Sequence, residues 1–370
     1  MIDNSPLLRE CIEHNAIRLK DAKVLRETPP RLPPDFDFQK VEGMLLGLAV
    51  GDALGEPTEG MLPDERRSLV GEPRDYLPAH RQELGSIGAG TDDTQLAFWT
   101  VEQLIADGGL IPERLIEKFS SDHIVGIGSA VGSSLRRYKS EGLPWQLCGV
   151  ESMGNGAMMR IAPTLIPYLQ NPSTSMYADA ALNTMLTHND RGNIACCVAF
   201  VSILWELLRR RSAPEPEWWF QEYESIAGEL EGDTVYGPRL ERCEPYAGPL
   251  WKYTVDRCRA AQSDKLTVLE ACGTWGSGAY LMETMPSVLY ILARHGHDPE
   301  TAIVRAVNDT KDNDTVAAIV GAAVGALHGL AGLPARWVRG LSGHIRMNDQ
   351  ENVFRLLLHA KQVFWLRHQS

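Results

Sequence analysis

Lys311-Asp312-Asn313-Asp314-Thr315-Val316-Ala317-Ala318-Ile319-Val320-Gly321-Ala322-Ala323-Val324-Gly325-Ala326-Leu327-His328-Gly329 runs from a knot of oxygen-bearing side chains straight into an uncharged apolar stretch. The stretch 316–335 is long enough to cross a bilayer. Its glycines at 321, 325 and 329 repeat at four-residue spacing, a packing pattern of membrane helices. Yet it starts directly after Asp312 and Asp314, holds His328, and is broken by Gly332 and Pro334. It reads instead as a central helix packed closely against neighbours on all sides. No membrane span is expected.

Outward from that helix the helical pattern continues. Apolar residues recur at helical spacing in 95–106, where Gly108-Gly109 supplies a stop. The segment 112–119 opens with proline at a first-turn position. Helices are also expected over 173–186, 193–208, 217–230, 280–293, 299–307 and 351–367. Alternation of apolar and polar residues is scarce, so a sheet has little support. The expected fold is all-α: one compact domain of orthogonally packed helices over 39–370, with function carried by glycine-rich loops. Residues 1–38 differ. One short amphipathic helix is expected over 7–24. Pro29-Pro30-Arg31-Leu32-Pro33-Pro34 then favours an extended form. These residues read as an appended N-terminal arm outside the core, suited to docking a partner.

Bulk composition excludes several functions. Of 370 residues, 44% are apolar and 23% charged, a globular balance. The net charge is -12, and no run of Lys and Arg offers the basic face a nucleic-acid binder needs. The cluster Arg209-Arg210-Arg211 suits the C-terminal end of a helix. The seven cysteines have no Cys-x-x-Cys spacing, so neither a disulfide framework nor a zinc ribbon is indicated. Met1-Ile2-Asp3-Asn4-Ser5-Pro6 leads into no apolar signal segment. A cytoplasmic location fits both features.

The chemistry is carried by two oxygen clusters. Thr91-Asp92-Asp93-Thr94 presents four oxygen-bearing side chains ahead of a helix, and Asp312-Asn313-Asp314-Thr315 does the same. Helix capping explains one such residue, not several. Adjacent Asp92 and Asp93 repel each other unless a cation sits near them. If the two helices are neighbours, four carboxylates converge. All-oxygen donors without His or Cys select magnesium, calcium or manganese over zinc. Two ions roughly 3.5–4 Å apart are the usual hydrolytic arrangement.

Other segments are weaker signals. In Gly51-Asp52-Ala53-Leu54-Gly55-Glu56-Pro57-Thr58-Glu59, Asp52 suits an internal hydrogen-bonding role. Glu59 sits on a loop, where it is either a carboxylate within reach of metal or water, or a solvated surface acid. Gly154-Asn155-Gly156 exposes backbone N–H groups that suit phosphate or ribose oxygens. The loops Gly126-Ile127-Gly128-Ser129 and Gly276-Ser277-Gly278 are flexible turns. No Gly-Lys-Ser/Thr phosphate loop is present.

Taken in order, Gly51-Asp52-Ala53-Leu54-Gly55 with Glu59, Thr91-Asp92-Asp93-Thr94, Gly154-Asn155-Gly156-Ala157-Met158-Met159-Arg160 and Asp312-Asn313-Asp314-Thr315-Val316-Ala317-Ala318 resemble the motifs of the ADP-ribosylglycohydrolase family. The resemblance covers about 41–332. It implies an all-α fold and a centre of two magnesium ions, for which manganese can substitute. It places Thr91, Asp92, Asp93, Asp312, Asp314 and Thr315 as metal ligands, with Glu59 beside the metals. It puts Asn155, Gly156 and Met158 on ADP-ribose, with Gly126, Gly128 and His188 in the same substrate-binding set. His188 either touches substrate or merely packs. The implied reaction removes ADP-ribose from a modified protein side chain, arginine first among the candidates. Asp92 or Asp93 would position the attacking water or take its proton, with Glu59 as competitor. Some members resemble immunity proteins paired with ADP-ribosyltransferase toxins, which gives the N-terminal arm a candidate partner. One departure stands out: the family pattern before the second cluster is two glycines and an Asp, whereas Thr310-Lys311 precede Asp312 here. Lys311 adds bulk and positive charge near the metals.

Overall fold

The computed structural model describes residues 2–347 and 353–366. Among these, the chain forms sixteen α-helices and no strand. They are α1 (Ser5–Glu13), α2 (Gln39–Gly55), α3 (Pro63–Val70), α4 (Asp92–Asp107), α5 (Pro112–Phe119), α6 (Ser129–Lys139), α7 (Ser175–Met185) and α8 (Arg191–Arg209). Then follow α9 (Pro216–Glu231), α10 (Leu250–Ser263), α11 (Val268–Trp275), α12 (Leu281–His295), α13 (Pro299–Asp309), α14 (Asn313–His328), α15 (Ala335–Gly340) and α16 (Val353–Phe364). The expected helices match α4, α5, α7, α8, α9, α12, α13 and α16 with small shifts at their ends, and that expected over 316–335 is found as α14, three residues earlier at its start and seven shorter at its end. Residues 351, 352 and 367 of the helix expected over 351–367 lie outside the described residues.

The axis of the fold is the pair α2 and α14. Both are buried almost along their whole length. They pack antiparallel with backbone against backbone, because α2 presents a glycine at each facing position. A Cβ on Gly47 would lie 2.2 Å from the Gly321 carbonyl oxygen, and one on Gly51 would lie 2.0 Å from that of Ala317. The glycines at 321 and 325 thus meet Gly47 and Gly43 of α2. The same contact at Gly55 reaches the backbone of Asp314, so the acidic start of α14 is set beside the end of α2. The uncharged run expected over 316–335 stops at His328. Gly329, at φ 72°, ends the helix in a conformation that glycine adopts without strain. Helix α8 is long and apolar enough to span a bilayer, but its residues are buried inside the fold.

The N-terminal segment is not a free arm. Its helix ends at Glu13 rather than running to 24, because the chain turns at Asn15 with φ 53°. Leu8, Cys11, Ile17, Leu19, Val24, Leu25 and Phe36 are buried in the same apolar core as the body. Asn4 donates its backbone N–H to Ser175 Oγ (2.7 Å) and its amide to Asp179 Oδ1 (2.7 Å). The proline-rich stretch lies along the C-terminal part of α8, where Trp205 Nε1 donates to the Pro30 carbonyl at 2.8 Å. The arginine cluster does close α8. Arg209 pairs with Glu206 at 2.7 Å, and Lys40 Nζ donates to the Leu207 and Leu208 carbonyls at 3.1 and 3.0 Å. Deleting residues 1–37 is therefore expected to cost roughly 4 kcal/mol of stability or more, since each large apolar side chain buried is worth about 1.5–3 kcal/mol. Thermal unfolding of the truncated chain checks this, and an unchanged midpoint would make the segment a passenger.

Candidate metal centre

Helix α4 begins at Asp92, and its N-terminal N–H groups need acceptors. They are served by another helix. Asp52 of α2 accepts the backbone N–H of Thr91 (2.8 Å), that of Thr94 (3.0 Å) and the hydroxyl of Thr91 (2.9 Å). Asp52 is thus the internal hydrogen-bonding residue expected of it. Because it does the capping, Asp92 and Asp93 are free of that duty. Nor does Asp312 cap α14: its side chain makes no cap hydrogen bond. Its Oδ2 accepts from the Asn155 amide at 2.6 Å. Capping therefore explains neither acidic cluster.

The clusters do converge. Carboxylate oxygens of Asp52, Asp93 and Asp314 lie within 4.8 Å of one another, as do those of Glu59, Asp312 and Asp314. Asp314 belongs to both groups. Asp52, Asp93 and Asp314 are buried. Asp93 Oδ1 and Asp314 Oδ1 are buried with no hydrogen-bond partner. The hydroxyls of Thr91 and Thr315 lie 3.4 Å from Asp93 Oδ2. A buried acidic oxygen without donor or cation is costly. Hard oxygen donors with such orphaned atoms, and no His or Cys among them, fit a divalent hard cation.

Burial moves these groups together. It pushes Asp52 up to about 6 against the hydrogen bonds of Thr94 and Thr91. Asp312 also rises to about 6, through loss of solvent, with the Asn155 amide opposing. Asp92, Asp93 and Asp314 stand well above the usual carboxylate range, through burial first and then through one another's charge. The folded, metal-free state therefore holds protons that the unfolded chain releases near pH ~3.9. Stability from these groups is present below that value and lost as pH rises through about 6. Asp179 and Glu231, pushed up to about 7 by burial, act in the same direction. Thermal unfolding in chelator is expected to show a falling midpoint from about pH 5 to about pH 8. A rising midpoint would contradict this picture of the site.

Above the carboxylates lies a cavity of about 160 Å³, lined by Glu59, Asp92, Gly126, Gly128, Asn155, Gly156, His188, Asp312, Asp314 and Thr315. Thr91 and Asp93 are not among its lining residues. Its walls are loops pinned to one another. Leu281 donates its N–H to the Met153 carbonyl (2.8 Å), and Asn189 donates to that of Val150 (2.8 Å). Gly126, at φ 81°, lets its loop approach: a Cβ there would stand 3.4 Å from Asp92 Oδ1. His188 is buried, and burial with the nearby Arg160 charge brings it down to about 3, so its ring is neutral. The Thr187 hydroxyl, which receives a hydrogen bond from Arg160 at 2.8 Å, faces His188 Nδ1 at 2.8 Å.

Three expectations change. Met158 does not reach the cavity. It lies in a three-residue 3-10 turn and packs its sulfur against Cys196 Sγ at 3.7 Å, while Met159 lines the cavity. Asn155 does reach it, but its amide is spent on Asp312 and, at 3.1 Å, on Thr284 Oγ1. Lys311 is exposed and its side chain forms no ion pair among the described residues, although its charge still bears on Asp312 and lowers it. Its backbone is held by Ser277, and it faces a neighbouring cavity. Two contributors escaped the sequence reading. Arg81 pairs with Glu59 at the cavity mouth. Glu56, buried, accepts the backbone N–H groups of His80 (2.9 Å) and Arg81, and so fixes the loop that carries that arginine.

Comparison with known proteins agrees with this geometry. The family model described as ADP-ribosylglycohydrolase matches residues 33–363. An uncharacterised protein of Archaeoglobus fulgidus is 30% identical over 308 residues, 82% of this chain and 92% of that one. The ADP-ribosylarginine hydrolase Tri1 of Pseudomonas putida is 25% identical over 340 residues, covering 86% and 79% of the two chains. A solved ADP-ribosylglycohydrolase-related protein complex aligns with a TM-score of 0.60 at 26% identity, covering 88% of this chain and 97% of that one. With its helical architecture and a match over most of its length, the chain belongs to the ADP-ribosylglycohydrolase family and is a hydrolase that removes ADP-ribose.

Proposed function

We propose that this enzyme cleaves the N-glycosidic bond between ribose C1 and the side chain of an ADP-ribosylated arginine in a protein, and so reverses the modification. The observation that carries the reading is the pair of acidic groups that share Asp314, in which Asp93, Asp312 and Asp314 cap no helix and Glu59, Asp312 and Asp314 open to one cavity. Similarity to the ADP-ribosylarginine hydrolase of Pseudomonas putida favours arginine. The residues fit two magnesium ions, or manganese in their place. Thr91, Asp92, Asp93, Asp312, Asp314 and Thr315 would hold them, with Asp52 and Glu59 close by. Bound there, such ions orient ribose hydroxyls and acidify water.

The chain's own residues do the rest. Cleavage builds positive, oxocarbenium-like character at ribose C1. The massed carboxylates around Asp314 offset it electrostatically. His188 lines the cavity with a neutral ring, and the loops at 126–129 and 154–156 wall it, with the Gly154 and Asn155 N–H groups already donated to Ser152 Oγ and the Ala279 carbonyl. Asn155 fixes the rotamer of Asp312. The proton of the attacking water goes to Asp92. Of the carboxylates that would hold the metals, Asp92 is the one that lines the cavity outside both groups of three, and burial raises its basicity. Glu59 is tied to Arg81. The test is release of ADP-ribose from peptides modified on arginine, serine or glutamate. Preference for arginine is the expected result, and preference for either of the others would refute the linkage assigned.

A further inference from the structure

A second cavity opens on the other side of Asp312. One part, of about 490 Å³, is lined by Gly60, Arg239, Leu240, Ala279, Lys311 and Asp312 among others. It meets the cavity above the carboxylates at Ala279 and Asp312. Leu240, Glu283 and Lys311 also line an adjoining space of about 470 Å³ that extends to Arg242 and to Leu62 before α3. A glycosidic bond placed over the carboxylates has the nucleotide on one side. Its leaving group and the peptide that bears it must lie on the other.

The charges there are unevenly satisfied. Arg239 is committed, stacked over Tyr280 at 4.3 Å and paired with Glu283 at 3.4 Å. Glu283 also accepts the Gly278 N–H at 2.8 Å. Asp309 is engaged by Arg305 at 3.3 Å. The side chains of Lys311 and Arg242 have neither an ion pair nor a hydrogen bond among the described residues, although the chain carries a net charge of -12. Lys311 projects from a rigid point. Its N–H donates to Ser277 Oγ (3.0 Å), and its carbonyl accepts the Gly60 N–H (3.0 Å). Asp64 and Glu65 stand on the α3 wall, so an incoming anion is drawn to the Lys311 and Arg242 wall and turned from the other.

We infer that this second cavity receives the target polypeptide, and that Lys311 and Arg242 select targets with an acidic side chain next to the modified residue. The inference rests on the proposed hydrolase reading of the neighbouring site. An unpaired cation at the edge of a cavity gains a charge-assisted bond from a carboxylate and discriminates against a neutral isostere.

The test uses the full chain and three substrates. Two are peptides with the same ADP-ribosylated arginine, flanked by aspartates or by asparagines. The third is free ADP-ribosylarginine, which has no flanks. The wild type is expected to favour the aspartate peptide by roughly tenfold in kcat/KM. Arg242→Gln, at a position that does not line the cavity above the carboxylates, and Lys311→Gln should each shrink that ratio, and together bring it to about one. Lys311→Arg should keep it, and hydrolysis of free ADP-ribosylarginine should not change in Arg242→Gln. Equal rates for the two peptides in the wild type, or a ratio untouched by both substitutions, would overturn the inference while leaving the hydrolase standing. No hydrolysis of any of the three would bring down the hydrolase reading and the inference with it.

Discussion

Asp314→Asn is expected to lower kcat by about 10³-fold and to remove divalent-metal binding, while making the metal-free protein more stable. Asp314 is the carboxylate common to both acidic groups, and its Oδ1 has no partner. Asn has the same shape, so the backbone contact with Gly55 is untouched. Only the charge goes. In the metal-free state that charge faces Asp312, Glu59 and Asp52, and burial has already pushed its proton affinity well above the ordinary range. Removing a buried like charge relieves the fold. The three readouts are turnover, calorimetric titration with magnesium, and thermal unfolding in chelator. Lost activity together with lower metal-free stability would mean a structural acid, and undiminished metal binding would remove Asp314 from the centre.

The second large effect is expected at Gly51→Val. Any Cβ at this position meets the Ala317 carbonyl at 2.0 Å, a backbone atom that cannot swing away. Helices α2 and α14 must separate. Overpacking of a rigid core costs about 1–3 kcal/mol, more where backbone itself obstructs. The cost here should exceed about 3 kcal/mol, because four successive turns of α2 share the same close approach. The separation also draws Asp52 from Asp314, so metal affinity should fall along with the unfolding midpoint. Urea unfolding checks the first and metal titration the second. A variant of normal stability would show that the helices are not locked by these glycines.

The acidic clusters were legible because their composition exceeds what a helix start requires. That inference needed only local sequence. What brings them together was half visible. The glycines of α14 were evident at four-residue spacing, but their partners at 43, 47, 51 and 55 sit in a segment for which no helix was expected. Glycine disfavours a helix by about 1 kcal/mol per residue in isolation. Here the penalty is offset by packing that only the folded chain reveals. The exchange of Met158 for Met159 has a similar cause. A three-residue 3-10 turn has no periodicity from which to read which methionine faces in. Residues 1–38 were misread for another reason. A proline-rich stretch looks the same in a free arm and in one laid along α8. The evidence for docking is the Trp205 hydrogen bond and the burial of Leu25 and Phe36, which are long-range facts. Arg81 and Glu56 escaped because a loop carries no pattern by which distant charges can be paired.

The measurement that bears most directly on the account is release of ADP-ribose from an arginine-ADP-ribosylated protein, with magnesium and with chelator, beside the Asp92→Ala/Asp93→Ala variant. The account predicts release that requires both the metal and the two aspartates. Release that persists in chelator, or in the variant, would contradict a hydrolase built on these carboxylates.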